Sequence, residues 1–110
     1  MRQGEIWDLY LDPVIESEQA GRRPGVIISG NVLNQYLSIV IICPLTTSVK
    51  NYKGNVILNP DKKNRLKSRS EVLVFHVRSI SKTRLKSKIG NISQHELAQI
   101  KSGLNDILRY

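Results

Sequence analysis

The sequence predicts a mainly β fold: a small, curved antiparallel sheet or barrel with one C-terminal α-helix packed on it. Two observations predict it. Short β-branched segments recur between Gly, Pro and Asn punctuation up to residue 77. After residue 92 the apolar period changes from that of a strand to that of a helix. A length of 110 residues suits one domain spanning the whole chain.

Residues 5–11 alternate, with Trp7, Leu9 and Leu11 on one face and Ile6, Asp8 and Tyr10 on the other. Asp12-Pro13 stops this strand. Residues 14–25 hold two acids, the adjacent Arg22 and Arg23, and Gly21, Pro24 and Gly25; they read as a long loop. Residues 26–28 and 38–43 are short and β-branched and predict buried strands, the second ended by Pro44. Residues 46–54 are polar and predict another loop. Residues 55–58 and 71–77 predict further strands, separated by a basic connection with Asn59-Pro60-Asp61. In the last segment Leu97, Ile100, Leu104, Ile107 and Leu108 recur at helical spacing. Ser93 and Glu96 fit a capping box, and Ile92 with Leu97 fits a hydrophobic staple. Gly103 either weakens this helix by ~1 kcal/mol relative to Ala or marks a close backbone approach.

The chain carries 17 Lys and Arg against 9 Asp and Glu, a net charge of +8. The excess is local. Residues 56–90 hold ten bases and two acids, and the segments on either side balance to zero. Such asymmetry points to a polyanion, either nucleic acid or an acidic protein, or to a solvated basic face. No apolar run approaches the ~20 residues of a membrane helix, and no secretory signal opens the chain. No membrane association is expected, and the cytoplasm is the default compartment. The one cysteine, Cys43, lies in an apolar run and reads as a buried, inert thiol.

Two histidines, His76 and His95, with no cysteine pair or carboxylate cluster at ligand spacing, leave metal and cofactor chemistry unsupported. A pair of polar loops stands out instead. One precedes the strand at residue 26 and carries Arg23. The other follows the strand that ends at Pro44 and carries Thr46. If the two strands form an antiparallel hairpin, both loops fall at one end of the sheet. Arg23 and Thr46 then line a pocket or serve ordinary loop chemistry, as an ion pair and a turn hydrogen bond.

Several short motifs occur in a fixed order: Gly4-Glu-Ile-Trp7 with Leu11-Asp-Pro13, Ser17-Glu-Gln19, Gly21-Arg-Arg-Pro24 before Val26, and Asn34. Pro44-Leu-Thr46, Arg78-Ser-Ile80 with Lys82 and Arg84-Leu85, and Ile89-Gly90 follow. Through this ordered set the chain resembles the MazF/PemK (Kid-like) toxin family of bacterial toxin–antitoxin systems. The resemblance implies an SH3-like barrel, a homodimer, and sequence-selective cleavage of single-stranded RNA without a metal or other cofactor. It also implies inhibition by a cognate antitoxin with an acidic or disordered tail, and DNA binding in company with that antitoxin.

The resemblance maps catalysis onto Arg23, a fork for phosphate oxygens, and Thr46, a short hydroxyl donor. A guanidinium is a poor general base, so stabilising transition-state charge is the safer role for Arg23. His76 stands where many family members carry Gln; it either moves a proton, as histidines near neutrality can, or contacts a base. One branch of the family uses an Arg and an Asp at positions occupied here by Leu73 and Phe75, so that mechanism does not carry over. Ser17, Glu18, Gln19, Thr47, Ser48 and Arg78 are the expected substrate-binding residues. Lys53, Lys62, Lys63, Lys86 and Lys88 are expected to meet phosphates or an acidic antitoxin tail. Tyr36 and Tyr52 are candidates for base stacking.

Two other functions remain open on the sequence. A non-nucleolytic toxin of the same fold, as in a related group that inhibits DNA gyrase, needs no cleavage site. A general basic nucleic-acid-binding module predicts weak sequence preference and steep salt dependence.

Overall fold

The computed structural model describes residues 1–11 and 21–109. The elements are β1 (Glu5–Tyr10), β2 (Arg22–Ile27), α1 (Asn31–Tyr36), β3 (Ile39–Thr46), β4 (Val56–Leu58), β5 (Ser70–Val72), β6 (Arg78–Ser81), β7 (Leu85–Asn91) and α2 (Gln94–Arg109). The sheet is antiparallel in the order β4-β5-β3-β2-β1-β7, with β6 also paired to β3, and it curls into a half-barrel. The expected fold class, a small barrel with a terminal helix, is what the structure shows.

The period of two sorts apolar residues onto both faces of the sheet. Ile6, Val26, Ile28, Cys43, Leu45 and Val72 join Leu97 and Ile100 of α2 in one core cluster. Leu9, Ile27, Val40, Ile42, Ile80 and Leu85 form a second, flanked by Trp7 and Leu11. α2 begins as its sequence predicts: the Glu96 amide donates to Ser93 Oγ (3.0 Å), and the Ser93 amide donates to Glu96 Oε1 (2.8 Å). Gly103 marks a close approach. A Cβ there would lie 2.3 Å from the Gly54 carbonyl oxygen, so α2 packs on the turn before β4 only through glycine.

Four local expectations are corrected. The Arg22-Arg-Pro-Gly25 stretch is strand, not loop, because β1 pairs along it from Tyr10↔Arg22 to Trp7↔Gly25. Pro44 does not end its strand. It lies opposite Gly25, and its carbonyl accepts from the Leu73 amide at 2.8 Å, so a missing N–H costs the ladder little. The predicted strand at 71–77 stops at Val72. Beyond it the Val74 amide donates to Asn55 Oδ1 (2.9 Å), and a 3₁₀ turn forms over Val74–His76. Finally, β2 and β3 pair antiparallel as expected, but the stretch between them, read without structure, contains α1, and residues 78–91 supply two strands, β6 and β7, that the basic composition hid.

Candidate active site

β2 and β3 are antiparallel with Gly25 opposite Pro44 and Val26 opposite Cys43. Carried two residues past Gly25, the same register sets Arg23 level with Thr46. A cavity of about 280 Å³ opens there, lined by Arg22, Arg23, Pro24, Leu45, Thr46, Thr47, Ser48 and Ser70. The structure thus brings together Arg23, Thr46, Thr47 and Ser48 among the residues singled out from sequence. Ser17, Glu18 and Gln19 lie outside the described residues.

Arg22 and Arg23 play different parts. Arg22 donates to the Asp8 carboxylate as an ion pair and lies over the Tyr10 ring at 6.0 Å. Arg23, on the exposed side of the strand end, presents its charge towards solvent and the cavity. Thr46 Oγ1 accepts from the Ser48 amide at 3.1 Å. That bond uses a lone pair and leaves the hydroxyl proton for another acceptor. A guanidinium, a free hydroxyl proton and two further hydroxyls therefore converge on one small space, a donor-rich arrangement suited to a phosphate.

The loop that carries Thr47 and Ser48 is anchored by a carboxylate that sequence reasoning missed. Glu71 lies opposite Thr46 in the β3–β5 ladder and is fully buried. It accepts from the Lys50 and Asn51 amides (2.7 Å each), the Tyr52 amide (3.1 Å) and Asn55 Nδ2 (2.7 Å). Burial pushes its carboxyl upward, but the bonds from Asn55, Asn51, Lys50 and Tyr52 outweigh that and hold it below its ordinary value. A lone Glu at the start of an apolar run gives no warning of this. Arg22 and Ser70 were also missed as lining residues; the doubled arginine was the available signal.

The remaining predicted residues fall elsewhere. His76 is exposed on the 3₁₀ turn, edge-on to Phe75 with ring centroids 4.6 Å apart, and does not line the Arg23–Thr46 cavity. Phe75 in turn meets Tyr52 at 6.0 Å. Arg78 is exposed at the start of β6, and Tyr36 is exposed at the end of α1. Lys53 lines a different cavity with Asp106 and Ile107. Lys62 and Lys63 are exposed in the turn before β5, and Lys86 and Lys88 on β7; Lys88 reaches Glu5 at 3.3 Å and Lys86 lies 4.8 Å from the Tyr10 ring centre. A larger cavity of about 430 Å³ lies between residues 51–57 and α2, lined by amides, small residues, Val56, Ile57 and Asp106, with no cation. Among the described residues no group of three or more His, Cys, Asp or Glu could hold a metal ion, and no helix is long and apolar enough to cross a membrane.

A half-barrel sheet closed by one helix, with an arginine and a threonine converging at a strand end, defines a narrow class. The chain belongs to the PemK-like, MazF-like toxins of type II toxin–antitoxin systems, whose family model matches residues 2–108. It is 31% identical over 106 residues to the endoribonuclease MazF of Staphylococcus epidermidis, covering 96% of this chain and 88% of that protein. The Staphylococcus saprophyticus endoribonuclease MazF is similar to the same degree. Among solved structures, MazF of Deinococcus radiodurans superposes with a TM-score of 0.81 at 27% identity, covering 100% of this chain and 97% of that one. The Mycobacterium tuberculosis toxin MazF-mt6 gives 0.79 at 21% identity, covering 94% and 95%, which shows the shared fold.

Proposed function

We propose that this chain is a toxin endoribonuclease that cleaves single-stranded RNA, mRNA in particular, at chosen sequences and so arrests translation and growth. The observation that carries this is the cavity shared by Arg23 and Thr46 in a member of this toxin family. The curated relatives are named endoribonucleases, and they align over nearly the whole chain.

The chemistry fits the groups present. The ribose 2′-oxygen attacks phosphorus, the bond to the 5′-oxygen breaks, and a 2′,3′-cyclic phosphate and a 5′-hydroxyl result. One proton leaves the 2′-hydroxyl and one reaches the departing 5′-oxygen. Charge builds on the phosphoryl oxygens in between, and a preorganised guanidinium and hydroxyl stabilise it. Arg23 takes the charge-stabilising role and Thr46 donates to a phosphoryl oxygen. Thr47 and Ser48, held by the loop that Glu71 anchors, position the neighbouring substrate atoms. The place of His76 outside the cavity supports a base contact over proton transfer.

The partners follow from the same reading. Related structures hold an endoribonuclease with its cognate antitoxin and MazE–MazF assemblies, and the basic surface of residues 56–90 suits an acidic antitoxin segment. A homodimer is supported by exposed apolar side chains: Val32 and Tyr36, four residues apart on α1, are 74% and 75% exposed. The site of action is the cytoplasm, where mRNA is translated.

The test is incubation of the purified chain with long single-stranded RNA in the presence of a chelator. Discrete fragments with 5′-hydroxyl ends are expected. Arg23→Ala and Thr46→Ala each lower the cleavage rate by about 10²-fold or more, the scale of losing one charge-stabilising donor, with circular dichroism unchanged. Full cleavage by both variants would refute the site. Absence of fragments across many RNAs would favour the non-nucleolytic, gyrase-inhibitor-like alternative.

A further inference from the structure

A second cavity, of about 330 Å³, adjoins the first. The two share Pro24, Thr47 and Ser70, so one partition has a cavity on each side. The Asp8–Arg22 ion pair crosses that partition: Arg22 lines the first cavity and Asp8 the second. The far wall of the second comes from residues 65–68, with Ser87 and Ile89 of β7. Its volume falls within the ~300–1,000 Å³ of small-ligand sites.

The chemistry of this space is two-sided. Pro24, Leu66 and Ile89 give it apolar surface, while Arg65 and Lys67 bring positive charge. Arg65 and Lys67 make no ion pair among the described residues. The acid in the wall, Asp8, is already paired with Arg22. The arginine-bearing segment is fixed, not loose. Asn64 is fully buried; its Oδ1 accepts from the Asp61 and Leu66 amides at 3.0 and 2.9 Å, and its Nδ2 donates to the Asn59 carbonyl at 2.8 Å. The Asn91 amide donates to the Lys63 carbonyl at 3.0 Å. Gly90 permits this clamp, since a Cβ there would lie 2.3 Å from the Asn64 carbonyl oxygen. Arg65 is thereby held at φ 55°, a left-handed conformation that a non-glycine residue adopts only when its surroundings impose it.

We propose that this second cavity is a nucleotide subsite for the RNA unit adjoining the cleaved linkage. It takes that unit's base or ribose on the apolar wall formed by Pro24, Leu66 and Ile89, and its phosphate at Arg65 and Lys67. The proposal rests on the reading that the Arg23–Thr46 cavity holds the cleaved phosphate. The shared partition then sets the two sites one wall apart, so a single strand occupies both.

Two variants test it. Arg65→Gly with Lys67→Ala removes both cations, and glycine suits the positive φ of residue 65. Ser87→Phe fills the cavity without changing charge. Thermal melts establish that each folds. On an oligoribonucleotide spanning a mapped cleavage site, both raise KM by about tenfold, with the loss falling on KM rather than kcat. For the double variant the slope of log affinity against log salt falls by about 0.7 for each phosphate no longer neutralised, whereas Ser87→Phe leaves the slope unchanged. Shortening the substrate from one end past the adjoining nucleotide abolishes the difference from the parent. A KM within twofold of the parent for both folded variants, or an effect that persists on the shortest substrate cleaved, would overturn the subsite while leaving the nuclease intact. If the parent cuts no RNA, the function fails separately. The subsite is then read from the affinity for short 2′-O-methylated RNA, which lacks the nucleophile: weakening in both variants supports it and unchanged affinity overturns it.

Discussion

Removing the Glu71 carboxylate tests how the loop beside the cavity is held. Glu71→Ala deprives three backbone amides and the Asn55 side chain of their acceptor. Each buried donor left unpaired costs ~1–3 kcal/mol. Lys50, Asn51 and Tyr52 are themselves exposed, so their amides recover water once the loop loosens, and the low end applies. The expected loss is about 3–4 kcal/mol, and a melting temperature lower by roughly 12–25 °C for a chain of this size. Glu71→Gln keeps two acceptor lone pairs but turns an amide donor towards other donors, and loses about 2 kcal/mol. The pH dependence has a fixed sign. The folded carboxyl titrates below its ordinary value of 4.5, so its contribution is complete above that pH and disappears as pH falls through the lower folded value. Urea denaturation of parent and variants at several pH values measures both effects. The gap between parent and Glu71→Gln narrows as the medium turns acid. A loss under ~1 kcal/mol at neutral pH, or a gap that does not change with acid, would refute the anchoring role.

Other outcomes follow from the same structure. Gly103→Ala gains ~1 kcal/mol of helix propensity but drives a methyl into the Gly54 carbonyl, for a net destabilisation of about 1–2 kcal/mol by urea denaturation; a stabilised variant would show that α2 shifts freely. Burial pushes the Cys43 thiol up to about 12, so thiol reagents at pH 8 leave the native protein unmodified and label it only on unfolding. Replacing Lys62, Lys63 and Lys86 by Ala weakens binding of RNA or of an acidic peptide in a salt-dependent manner. Cleavage at saturating RNA stays near the parent rate, and a large fall there would place these lysines in the chemical step.

What was legible in the sequence follows from the strength of the local signal. The α2 cap was readable because Ser93 and Glu96 satisfy each other's amides within one turn. β1 was readable because its alternation serves two apolar clusters, one on each face. β7 was not. Its pairing with β1 shifts register at Ile6/Trp7 and again at Asp8/Leu9, and each irregularity breaks the period of two. Leu85, Ile89, Gly90 and Asn91 are then the inward-facing residues amid exposed lysines, too few and too unevenly spaced to show an alternation. α1 was hidden by its length of six residues and the absence of a side-chain cap. At the site, an antiparallel pairing of the two strands was enough to set Arg23 level with Thr46, but their choice as site residues came from the ordered family motifs and not from that geometry. Glu71 and Arg65 were not readable, since the role of each depends on partners that only the tertiary fold supplies.

The strand β3 pairs with β2, β5 and β6, which come from widely separated parts of the chain. The first cavity accordingly has walls at residues 22–24, 45–48 and 70, and the residue that braces its loop is number 71. During synthesis the Arg23 and Thr46 ends of β2 and β3 emerge well before β5 exists to pair with them. A growing chain therefore carries Arg23 and Thr46 for some time without the enclosure that Ser70 and Glu71 complete. A product truncated before β5 retains both sequence motifs but lacks the wall and the brace that complete the cavity.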